Sequence, residues 1–214
     1  ARADMSFALT LAFMFLVFWR PQEWLVRQLY GLPILDGIVY LSLLALLVEI
    51  NSGAVRLSRT PVIGLAIGLW FATLFSHVPH TYFQGILDTI PESFKLCFFL
   101  ILLVAVVDRA SRARGVVLVL VGATCLMAVH ALLQQRFGRG FGGQVPLAVF
   151  DPRTGHWTIR TLFYGIFGDP NDLAQMLATA IPLAFAVPRR LNVGGLLVAG
   201  GIGTLLFLAL LSTH

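Results

Sequence analysis

Seven apolar runs, at residues 5–19, 34–50, 61–76, 93–107, 115–133, 171–187 and 194–211, alternate with short polar segments along the whole chain. A hydrocarbon core of about 30 Å is crossed by roughly 17 to 25 helical residues, and the runs are spaced to suit that length. Of 214 residues, 58% are hydrophobic and 12% charged, whereas soluble domains carry about a quarter charged residues. The mean hydropathy of +0.87 is more apolar surface than a water-soluble fold can hide. The expectation is an all-α, polytopic transmembrane protein of about seven spans, with residues 1–214 as a single transmembrane domain. The first, third and fourth runs are short and recruit flanking residues to cross.

The connecting segments fall into two sets. Segments 51–60, 108–114 and 188–193 are brief and hold seven arginines, Arg56, Arg59, Arg109, Arg112, Arg114, Arg189 and Arg190. The opposite set is longer and, with the run ends that flank it, mixes seven basic with seven acidic residues. The positive-inside rule then places the N-terminus and the short arginine loops in the cytoplasm, and turns 20–33, 77–92 and 134–170 outward. Arg2 ahead of Met5–Trp19 resembles the start of a signal peptide, but no small-residue cleavage site precedes Arg20-Pro21-Gln22-Glu23, so this is read as an uncleaved first span. The net charge of +5 lies in loops between apolar runs, where topology, lipid head groups or a phosphorylated lipid explain it better than nucleic acid. Cys97 and Cys125 fall inside runs and read as small buried hydrophobes.

Polar chemistry concentrates between Gln134 and Asp172, which holds Arg136, Arg139, Asp151, Arg153, His156, Arg160, Asp169, Asn171 and Asp172 among many glycines. A glycine-rich loop on the bilayer exposes backbone N–H groups, and arginine clamps phosphate oxygens bidentately. The loop therefore suits a diphosphate at the membrane surface, or is an ordinary solvated loop with interfacial arginines. Its end carries helix-start signals: Asp169 as N-cap, Pro170 at the first helical position and Asp172 as a capping-box acid. Such an N-terminus can also hold an anion. Asp169 and Asp172 partly cancel its field, which favours Arg160 as the anion contact and leaves Asn171 to hydrogen bonding or packing. Pro182 should kink the helix that follows.

The histidines show no metal-ligand spacing. His156 is either a general base or, beside Trp157, an interfacial residue. Lys95, three residues after Glu92, is placed to form a helical ion pair.

Arg160, the run Gly165-Ile166-Phe167-Gly168-Asp169-Pro170-Asn171-Asp172-Leu173-Ala174 and the later Ile181-Pro182-Leu183-Ala184 resemble the O-antigen ligase and polymerase superfamily of bacterial membrane proteins. Arg20-Pro21-Gln22-Glu23 and Phe94-Lys95 look like features of its exopolysaccharide-type members. The resemblance implies a membrane-embedded glycosyltransferase of C-type architecture in the inner membrane, with the loop 134–170 in the periplasm. It implies transfer of a glycan from an undecaprenyl diphosphate carrier to a sugar hydroxyl on an acceptor glycan or lipid. Neither metal nor other cofactor is implied; other polysaccharide-assembly proteins are further partners. Arg160 takes the catalytic role of steadying the leaving diphosphate, with His156 as candidate base, and Arg136, Arg139, Arg153, Asn171 and Asp169 as substrate-binding candidates. Members of the family continue through further spans and a large outward loop, so the chain is expected to be the N-terminal part of a longer one and inactive by itself. A lipid-linked glycan flippase and a non-catalytic subunit of a polysaccharide synthase are the alternatives.

Overall fold

The computed structural model describes residues 5–26, 29, 31–55, 60–151, 155–190 and 192–213. Arg2, Arg56, Arg59 and Arg153 lie outside them. The fold is mostly helical. In chain order it comprises α1 (Met5–Trp19), the single turn α2 (Pro21–Trp24), α3 (Ile34–Asn51), α4 (Pro61–Phe75), α5 (Phe83–Val106) and α6 (Ala110–Phe137). A hairpin of β1 (Leu147–Asp151) and β2 (His156–Arg160) follows, then α7 (Pro170–Leu183) and α8 (Val193–Leu211).

Among the described residues, α3, α6 and α8 are long and apolar enough to cross a membrane, and α5 adds a fourth if its two limbs count as one span. Those limbs meet at about 40°. The break falls at Pro91, which has no N–H to give to the carbonyl one turn earlier. The expectation of seven spans is not met on this count. At 1.5 Å per residue, the 15 residues of α1 or α4 reach about 22 Å and the 14 of α7 about 21 Å, short of a core of about 30 Å. Each is stopped by a local signal. Arg20 leaves α1 in the left-handed region at φ 48°, Pro61 opens α4, and α7 runs from its cap at Asp169 to one residue past Pro182, passing into a 3-10 turn at Ala184–Ala186. Pro182 thus ends the helix where the sequence suggested a kink.

The polarity of the helices is that of a protein whose solvent is apolar. Tyr40, Leu65, Leu69, Leu96, Val193 and Leu197 face outward, while Ser6, Thr10, Ser42 and Thr124 are buried. The buried hydroxyls of Thr10, Ser42 and Thr124 bond back to the carbonyl one turn earlier, at 2.7–2.8 Å, so none needs water.

The chain forms two compact units, Ala1–Thr10 with Asp36–Ala113, and Leu11–Leu35 with Arg114–His214. In the first, Leu46, Leu102, Ala105 and Val106 make the core. The buried Glu49 carboxylate accepts from the Ser6 N–H at 3.2 Å and from the Ser6 hydroxyl, capping the first turn of α1 from α3. Arg112 is buried, donates to the Val106 carbonyl at 2.9 Å, pairs with Asp108 and lies over the Phe7 ring. Lys95 bridges to Asp36 of α3 at 3.1 Å; the side chain of Glu92, the helical neighbour that the sequence offered, lies outside the described residues.

In the second unit, Met127, Ala128 and Ala131 of α6, Leu173, Leu177 and Ala180 of α7 and Leu206 and Ala209 of α8 close around Phe163 and Phe167. The alanines let the helix backbones approach closely, as packing in lipid requires. Within residues 134–170, expected as an outward-facing loop, the chain forms the hairpin. α6 first continues to Phe137, and then Leu147-Ala148-Val149-Phe150 and Trp157-Thr158-Ile159 pair in antiparallel register. Their β-branched and aromatic residues at period two favour a strand.

Candidate functional site

The polar residues of the second unit gather where α1 and α6 end. Arg20, in the left-handed region, turns the chain out of α1 and pairs through Nη1 with Glu23. The turn brings the Trp24 indole N–H to the Trp19 carbonyl at 3.1 Å. The Trp24 ring stacks on Phe141 and Tyr164, with centroids at 5.2 and 6.4 Å. Gly142, at φ 64°, sits in this stack, where an added Cβ would lie 2.6 Å from the Tyr164 hydroxyl and 2.7 Å from the Trp24 Cβ. The Tyr164 hydroxyl donates to the Phe141 carbonyl at 2.7 Å. Burial, with the Glu23 charge adding to it, raises the Tyr164 phenol above its ordinary pKa.

A second layer ties the end of α6 to the loops on either side of the hairpin. His130 is fully buried, with the rings of Phe141, Phe163 and Tyr164 presented edge-on at 4.8–5.8 Å. Its Nδ1 accepts from the Phe141 N–H at 3.0 Å, so the neutral ring carries its proton on Nε2. Gln134, one turn later and also buried, accepts from the Leu162 N–H at 3.0 Å and donates to the Gln144 carbonyl at 3.3 Å. Gln144 donates in turn to the Phe163 carbonyl at 3.4 Å. The strand leaving the hairpin is pinned at Thr161, whose N–H and hydroxyl both reach the Ser212 carbonyl at 3.2 Å, just beyond α8.

Arg160 closes β2 immediately before this pinned segment. It is half-buried, and its Nε is buried without an acceptor among the described residues. The Arg20 Nε is in the same condition. That guanidinium lies against Gly165, at φ 66°, where an added Cβ would sit 2.2 Å from Nε and 2.3 Å from Cζ. The structure therefore brings the Arg20-Pro21-Gln22-Glu23 turn and the loop that opens α7 into direct contact.

The other candidates are placed as follows. Asp169 caps α7, its carboxylate accepting from the Asn171 N–H at 2.7 Å, as the sequence led one to expect. Asp169 and Asn171 are both exposed, as are Arg136 in the last turn of α6 and Arg139 beyond it. Arg153 falls outside the described residues. His156 is exposed at the tip of the hairpin, opposite Asp151 in register. It lies four residues from Arg160 along β2, or about 13 Å at 3.3 Å per residue, so the two do not converge on one point. His130, Gln134, Gln144 and Tyr164 had no individual signal. A histidine and a glutamine spaced i, i+4 at the end of an otherwise apolar run was the available hint.

In the first unit, α4 and α5 enclose a cavity of about 230 Å³ lined by Ala66, Leu69, Trp70, Thr73, Ser93, Leu96, Cys97 and Leu100. The Trp70 indole donates to the Ser93 hydroxyl at 3.0 Å within it. The Thr73 and Ser93 hydroxyls also bond to the Leu69 and Thr89 carbonyls, which leaves the Cys97 thiol in an otherwise apolar wall.

The arrangement in the second unit offers a cationic donor, at the edge of an apolar body, to an anion. No protein-family model matches the chain, and no curated protein or solved structure matches it.

Proposed function

We propose that this chain is the membrane part of a glycosyltransferase of the O-antigen ligase and polymerase type. It moves a glycan from an undecaprenyl diphosphate carrier to a sugar hydroxyl at the periplasmic face of the bacterial inner membrane. In this reading all seven apolar runs cross the bilayer, the short helices with the help of flanking residues, as in the C-type architecture. The N-terminus is cytoplasmic and the hairpin faces the periplasm. The observation that carries the reading is Arg160, whose Nε meets no acceptor among the described residues, which leaves the guanidinium without a partner there to displace when an anion arrives.

The acceptor hydroxyl oxygen forms a bond to the anomeric carbon as the bond from that carbon to the carrier phosphate breaks. The diphosphate leaves with the electron pair, and the hydroxyl proton passes to a base. Arg160 steadies the charge that grows on the diphosphate, where a preorganised cation is worth most. Arg136 and Arg139 add long-range attraction for the carrier, and Asp169 and Asn171 shape the helix start beside it. Arg160→Ala in the full protein should abolish transfer to acceptor at normal membrane abundance, with Arg160→Lys restoring only part. Wild-type polymer from Arg160→Ala would remove the residue from the mechanism.

A flippase for the same carrier is the second reading, favoured by the buried Glu49 of α3, since ionisable groups within membrane helices commonly mark transport paths. Carrier movement in vesicles without a new glycosidic bond would select it.

A further inference from the structure

The hairpin is inside out for a protein in water. Opposite residues of an antiparallel pair share a face, so the register puts Ala148, Phe150, Trp157 and Ile159 on one face and Leu147, Val149, Asp151, His156, Thr158 and Arg160 on the other. Water-facing hairpins bury the apolar face and expose the polar one. Here Val149, Thr158 and Arg160 are half-buried, while Phe150, Trp157 and Ile159 are 47%, 68% and 64% exposed. Phe150 and Trp157 stand together as a cross-strand aromatic pair with centroids 5.4 Å apart. Among the described residues of the two strands, no charged one belongs to this face.

We propose that this face of the hairpin lies in the head-group region of the bilayer and anchors the loop that carries Arg160. Apolar-out and polar-in alternation is the pattern of strands against lipid, and aromatic side chains with a polar edge settle at that depth. Chain continuity points to the same occupant. β1 begins ten residues after the end of α6, the longest of the membrane-length helices. The inference rests on the membrane reading of those helices and not on the transferase reading. Its consequence for the latter is that Arg160, on the opposite face, is held at the level of lipid phosphates and turned toward the protein.

The test places single cysteines in turn at 156, 157, 158 and 159 of the full chain, with Cys97 and Cys125 changed to alanine. Each is labelled with an environment-sensitive fluorophore in phosphatidylcholine–phosphatidylglycerol vesicles. Trp157→Cys and Ile159→Cys should be shielded from aqueous iodide severalfold relative to the exposed His156→Cys, and quenched by lipid carrying a shallow spin label, whereas Thr158→Cys, on the half-buried face, should escape the lipid quencher. A second copy or another protein on this face would shield 157 and 159 from both quenchers, and a water-facing hairpin would leave 156, 157 and 159 open to iodide; either result overturns the proposal. A measurement without labels is independent of the cysteine variants. Trp157→Phe should remove a component of tryptophan emission that brominated lipid quenches, and an unchanged profile overturns the proposal too. The Arg160→Ala transfer assay is unaffected by either outcome.

Discussion

Gly165→Ala is the sharpest probe of how the end of α1 is fastened to the loop before α7. The substitution has two separable costs. The backbone at φ 66° is left-handed, which disfavours any residue with a Cβ by about 1–2 kcal/mol. The new methyl would also meet the Arg20 guanidinium at 2.2–2.5 Å, so the side chain must leave its place. Its pairing with Glu23, half-buried on both sides, is then weakened by about 0–1 kcal/mol once solvent screening is counted. The sum is about 1–3 kcal/mol in the wild-type background. In an Arg20→Ala background the steric part disappears and only the backbone part remains. A double-mutant cycle, read as unfolding free energy in mixed micelles, should therefore give a coupling of up to about 1 kcal/mol between the two positions. Additive effects would mean that the guanidinium does not rest on Gly165. A Gly165→Ala cost near zero would mean that the left-handed turn itself is absent.

The other expectations are simpler. Glu49→Ala strips the buried Ser6 N–H and hydroxyl of their acceptor and should destabilise the first unit by about 2–3 kcal/mol, whereas Glu49→Gln, which keeps one acceptor oxygen, should cost less; equal thermal midpoints for the wild-type and Glu49→Ala proteins in detergent would refute the capping role. Because the folded environment raises the Tyr164 phenol, its contribution is intact below the ordinary phenol pKa of about 10 and is lost as pH rises through the folded value. Stability should fall above about pH 10, and Tyr164→Phe should flatten that fall while costing about 1 kcal/mol at neutral pH through the lost bond to the Phe141 carbonyl; an unchanged alkaline limb would contradict the burial of this ring.

What the sequence disclosed was local. The cap at Asp169 needs only Asn171, two residues on, and proline at the next position, so it could be read directly. The apolar runs were legible because bilayer crossing depends on length and composition, and the runs at 5–19, 34–50, 61–76 and 194–211 end within one residue of α1, α3, α4 and α8. α7 is different: it ends just past Pro182, within a stretch whose hydropathy alone would carry the helix further. The fastening of Arg20 to Gly165 joins positions about 145 residues apart, and no period or motif links them. The hairpin was hidden for a different reason. Its strands are five residues each and lie in a segment whose charges and glycines suggested a loop, so the alternation of Phe150, Trp157 and Ile159 passed as scatter. His130 and Gln134 were concealed by their helix, since a buried polar side chain in a membrane-length run announces itself only when its partners are known.

Arg20 and Arg160 are two candidate cations of one unit, and their partners decide between them. Both have a buried Nε without an acceptor among the described residues. Arg20, however, already spends its Nη1 on Glu23 and rests its guanidinium on Gly165. A diphosphate reaching it would have to displace a carboxylate and approach the Glu23 charge that already acts on Tyr164. Like-charge repulsion in a partly buried setting opposes that approach. Arg160 has no carboxylate partner among the described residues, and its backbone is fixed on one side by the β ladder and on the other by the Thr161–Ser212 bonds. A cation held in place by its backbone and unpaired at its head is preorganised for an incoming anion, whereas one neutralised by a neighbour three residues away is a fastening of the fold.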